Sequence, residues 1–151
     1  MPVGFLDAMT QDKSWSDLLE GWLSLCSEAG TVEEQSEALR FLVGKLTDAP
    51  PSVIAFLHRL PDSERIEAML ALNAIDSAVA TVIEDAVFGY MLSSDMSHRV
   101  LFTMVLPGTA GEINFEARTE AMAKLGGVTC AMLRLAGQPR QSQQSRLSGL
   151  H

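Results

Sequence analysis

Cysteine is scarce in this 151-residue chain: Cys26 and Cys130 are the two, far apart and without metal-like spacing. Two reduced thiols acting as small apolar side chains are the expected state, and a single Cys26–Cys130 disulfide is the alternative that the sequence leaves open. Histidine is nearly as rare. His58, His98 and His151 are scattered, and no HxxxH, ExxH or CxxC pattern joins them to other ligands. Helical di-metal chemistry therefore has no signature, and no metal is expected. The chain also has few bases, 11 Lys and Arg against 19 Asp and Glu, for a net charge of −8. Broad binding of a phosphate backbone needs a Lys/Arg surface, so direct nucleic-acid binding is not expected. The same balance speaks against an anionic membrane surface.

Uninterrupted apolar runs are missing too. The most apolar stretch, 75–92, reads IDSAVATVIEDAVFGYML. Asp76, Glu84 and Asp85 leave no window of about 20 apolar residues, so it is not a membrane span. The first residues, MPVGFLDAMTQDK, have neither a basic n-region nor an apolar h-region, which makes the cytoplasm the expected compartment. Gly44-Lys45 in LVGKLT lacks the upstream glycine of a phosphate loop.

What remains is a globular composition, 47% apolar and 20% charged, of one-domain length. Helical periodicity dominates. Trp15, Leu18, Leu19, Trp22, Leu25 and Cys26 form one stripe, with Ser14 and Asp17 as an apparent capping box and Gly30 as a stop. Thr31 and Glu34 form a second capping box, opening a helix whose inward face is Leu39, Leu42, Val43 and Leu46. A two-residue connection makes these helices antiparallel neighbours. DAPPS at 48–52 starts a short helix bearing Val53, Ile54, Phe56, Leu57 and Leu60, closed by Pro61. Asp62 or Ser63 caps the next. Its pattern reaches Leu92, but Asp76 would then face the core side, so a kink or recap near NAIDS, with Asp76 as the N-cap, is expected.

The segment SSDMSHRVLFTMVLPG reads two ways. A helix carrying Met96, Val100, Leu101 and Met104 is favoured; the alternative is a hairpin over 99–116, pairing RVLFTMVL with EINFEA. A last helix, from about Asn114 to Ala136, carries the seam Ala121, Leu125, Val128, Met132 and Leu135. Gly126-Gly127 inside it implies a kink or a close approach by a neighbouring helix. The expected fold is thus all-α: a single-domain antiparallel bundle of five or six helices over 14–137. An arm, 1–13, precedes it and a disordered polar tail, 138–151, follows.

No catalytic constellation emerges, so a non-enzymatic protein-interaction module is the first expectation: an adaptor, a secretion-type chaperone, an inhibitor or an immunity protein. Its acidic surface suits a basic protein partner, and a homodimer is a further option. The candidate contact patch is apolar, Phe88, Met91, Leu92 and Met96, because methionine suits adaptable binding surfaces. No cofactor is required by this reading. Two alternatives stand beside it. One is a small-ligand or haem-binding helical protein with His98 as axial and His58 as distal ligand. The other is a cysteine-dependent enzyme with Cys130 following Gly126-Gly127.

Overall fold

Helix α1 (Val3–Glu28) and helix α2 (Val32–Leu46) form an antiparallel hairpin. The computed structural model describes residues 3–86, 89–94, 96–106 and 111–137. Trp15, Leu19, Trp22 and Cys26 are buried along α1, one side chain every three or four residues. The two tryptophans fasten the hairpin: Trp15 Nε1 donates to the Lys45 carbonyl at 2.7 Å and Trp22 Nε1 to that of Ala38 at 2.9 Å. Ser14 lies within α1, which already starts at Val3, so the expected helix start at Ser14 is not where the helix begins. Residues 3–13, expected as an arm, are its first turns.

The Thr31–Glu34 capping box is formed in both directions. The Glu34 carboxylate accepts from the Gly30 and Thr31 N–H groups at 3.1 and 3.0 Å, and these bonds hold its pKa below the ordinary value. A depressed carboxyl stabilises the native state fully above its unfolded value, near 4.5, and loses that contribution as the pH falls through its folded value. Glu34→Gln keeps an acceptor but removes the titration. Wild type should therefore unfold at the higher temperature at neutral pH, and the two melting temperatures should converge once the pH has fallen below the folded value of the Glu34 carboxyl.

Helices α3 (Pro51–Leu57), α4 (Ser63–Ala71) and α5 (Ile75–Ile83) follow as short pieces. The expected break in 62–92 is present between α4 and α5. Ala74 rather than Asp76 occupies the N-cap, Asn73 takes a left-handed φ of 57°, and Asp76 is exposed in the first turn. Val79, Val82 and Ile83 are buried along α5.

From residue 91 onward the all-α expectation fails. Strands β1 (Met91–Ser94), β2 (Val100–Val105) and β3 (Glu112–Ala117) form a three-stranded antiparallel sheet in the order β1-β2-β3. The favoured helix through 96–104 is thus wrong. The hairpin alternative gives the β2–β3 pair, with Phe102 opposite Phe115. A lone hairpin is marginal in water. This one gains a third strand, Leu92 lying opposite Phe102, and a helix laid across one face. The fold is therefore mixed: six helices and a sheet among the described residues.

That covering helix is α6 (Glu120–Ala136), which starts at a Thr119 cap because 112–117 belongs to the sheet. It packs on β2 and β3 on one side and on α1, α3 and α5 on the other. Gly126 and Gly127 sit mid-helix, as expected, but aromatic rings approach them rather than another helix. A Cβ at Gly126 would collide with the Phe115 ring, and one at Gly127 with that of Phe102. No helix among the described residues is long and apolar enough to cross a membrane. The tail expected over 138–151 lies outside the described residues.

Candidate functional site

Alternation along the strands gives the sheet two different faces. Leu92, Phe102, Met104, Ile113 and Ala117 turn toward α6 and the core. Met91, Leu101, Thr103 and Val105 turn the other way, together with Glu112, Asn114 and Glu116 of β3. On this outer face Met91 is 69% exposed and Val105 65%. Met96, in the turn between β1 and β2, is 97% exposed. β1 and β3 are the two edge strands, and the second side of β1 is unpaired among the described residues. Its sequence, MLSS, contains no charge and no proline, the devices that usually blunt an edge.

The contact patch expected from the sequence is therefore only partly assembled. Met91, on the outer face of β1, and Met96, in the β1–β2 turn, are both exposed. Leu92 does not join them: it packs against the core cluster, because neighbours in a strand point to opposite faces. Phe88 lies outside the described residues. Val105 and Leu101 complete the outer face, and sequence reasoning missed both. The alternation in RVLFTMVL was the signal available, and it was outweighed by a helical reading.

The outer face is held in place by polar contacts. Arg99 donates from Nε to Glu116 Oε1 at 2.6 Å and from Nη2 to Ser27 Oγ at 2.8 Å. It thereby ties the β2–β3 pair to the end of α1. Thr103 Oγ1 donates to Asn114 Oδ1 at 2.9 Å across the same face. Below it, Tyr90 stacks on buried Phe102 at 5.4 Å between ring centroids. Lys124 Nζ lies 5.6 Å over the Tyr90 ring.

No protein-family model, curated protein or solved structure matches the chain.

The chemistry of the other candidates follows from their surroundings. His98 is exposed in the β1–β2 turn at φ 64°. Beside it is an open hollow of about 440 Å³, lined by Ser97, His98, Arg99 and Arg118, with no aliphatic or large aromatic residue among them to seat a haem or a similar ligand. His58 is exposed at the C-cap of α3. Burial pushes the half-buried Cys130 thiol up to about 11, against a lowering influence of Arg134. Burial also raises Cys26, whose Sγ donates to the Met122 carbonyl at 3.3 Å. Both groups are thus protonated thiols at neutral pH, whereas a nucleophilic cysteine needs a lowered pKa. Among the described residues, no three His, Cys, Asp or Glu side chains gather around a metal-sized site.

Proposed function

We propose that this protein is a non-catalytic protein-interaction module, and that the outer face of the sheet with its β1 edge is the contact surface. One observation carries the reading: an uncharged, unpaired edge strand lies beside exposed Met91, Met96 and Val105 on the same hairpin. An extended segment of a partner can add to such an edge through main-chain hydrogen bonds, while Met91 and Val105 accept its side chains. Methionine suits this use because its unbranched, polarizable side chain repacks around different shapes. The net charge of −8 and Glu112 on the same face favour a partner with basic residues flanking the added segment, Glu116 being already paired with Arg99. The raised thiols and the polar, open surroundings of His98 support this reading over the enzymatic and haem alternatives.

The test is affinity capture from the native host with wild type and with Met91→Glu/Val105→Glu. Both sites are exposed, so the fold should survive, and a circular dichroism spectrum verifies it. Wild type should retain a stoichiometric protein that the double variant loses, a drop of about 2 kcal/mol or more. Equal retention by both would refute the assignment of this surface.

A further inference from the structure

A second surface lies between α1 and α2, on the side of the hairpin that no described element covers. Leu18 and Leu25 stand seven residues apart on α1, 47% and 69% exposed, and Phe41 of α2 lines the same groove as Leu25. Between the helices runs a groove of about 360 Å³. Trp22, Leu25 and Phe41 give it apolar walls, and Glu28, Glu34 and Glu37 edge it; no cation is among its lining residues. Gly21, between Leu18 and Leu25, has open space where a Cβ would be, so another backbone can come close there. The acids gather at one end. At the other, Lys45 Nζ lies 5.5 Å over the Phe41 ring.

We propose that this groove docks a cationic amphipathic helix of a partner protein, a second interaction site separate from the β1 edge. Two neighbouring antiparallel helices with a half-exposed apolar seam accept a third helix as in a bundle, through apolar residues at i, i+3, i+4 and i+7. Charge selects the partner. Glu34 is fixed as an acceptor by the capping box, and Glu28 is oriented by Arg118 at 3.0 Å and Arg99 at 3.5 Å. Glu37 stands exposed on the rim. Glu28 already has Arg118 and Arg99 as partners, so lysines or arginines flanking the apolar face of the incoming helix meet Glu34 and Glu37, whose charge disfavours an acidic helix.

The probe is a fluorescein-labelled peptide of leucine and lysine, about 14 residues or four turns long, patterned to put leucine on one face. Its anisotropy is followed on titration with the full chain. The leucine–lysine peptide should bind, more weakly as salt rises, and a leucine–glutamate counterpart should not. Leu25→Glu and Glu37→Lys should each weaken binding about tenfold or more. Glu20→Lys makes the same charge change on α1 about 140° round the helix from Leu25, and should alter binding less than about twofold. Three outcomes would overturn the proposal. In the first, Glu20→Lys weakens binding as much as Glu37→Lys, which would mean general charge attraction. In the second, Leu25→Glu has no effect. In the third, the wild-type chain binds no peptide; a dimer dissolved by Leu25→Glu would then identify a second copy as occupant, and binding gained on removing 138–151 would identify that segment.

Discussion

Gly127→Val should destabilise the protein by about 3 kcal/mol, although valine is a slightly better helix former than glycine. A Cβ at this position would collide with one edge of the Phe102 ring, and Phe102 is fully buried, stacked on Tyr90 and held between strands on both sides. The ring cannot retreat without opening the sheet from α6. For a domain of this size the loss corresponds to a fall of about 6–12 °C in melting temperature. Gly126 provides the internal comparison. Its Cβ would meet Phe115, which is only half-buried, so Gly126→Ala should be milder. The close approach also implies coupling. Phe102→Leu alone leaves a cavity, but combined with Gly127→Val it makes room for the new methyls. The double variant should therefore be more stable than the sum of the single changes implies, measured by denaturant unfolding. Strict additivity would mean that the ring and the glycine are not in contact.

The second large effect belongs to Trp22. It is buried between α1 and α2, and its indole N–H reaches the Ala38 carbonyl. Trp22→Ala removes the largest apolar contact of the hairpin and should cost about 3–5 kcal/mol. Trp22→Phe should cost clearly less, because most of the buried surface stays and the Ala38 carbonyl remains in a helix. A domain stability of about 5–15 kcal/mol leaves the alanine variant at or near the threshold of folding. Urea unfolding of the two variants against wild type measures both numbers. An alanine variant as stable as wild type would show that the α1–α2 hairpin is not part of the cooperative core.

The helical hairpin was legible in the sequence because local signals agreed. Its apolar stripes repeat at helical spacing and a complete capping box marks the start of α2. The break before α5 was legible from one misplaced acid, Asp76. The sheet was not, for a physical reason. β1 is four residues with two serines, and nothing local distinguishes MLSS from a turn. Its strand state comes from pairing with β2, and that pair is held by α6 from the far end of the chain. The same tertiary control split the expected patch. At helical spacing Met91 and Leu92 lie close together, but in a strand one reaches solvent and the other the core. Gly126-Gly127 reads as a kink or a close approach by a neighbouring helix; the close approach is present, but strand-borne rings make it. What approaches, Phe102 and Phe115, could not be named without the sheet that carries them.

The assignment of function rests on the β1 edge being where a partner adds. Hydrogen exchange at residues 91–94, in the free protein and with its captured partner bound, tests this most directly. The expected result is marked slowing of exchange along β1 on binding, with α3 and α4 unchanged. Exchange along β1 that is the same with and without the partner would contradict it.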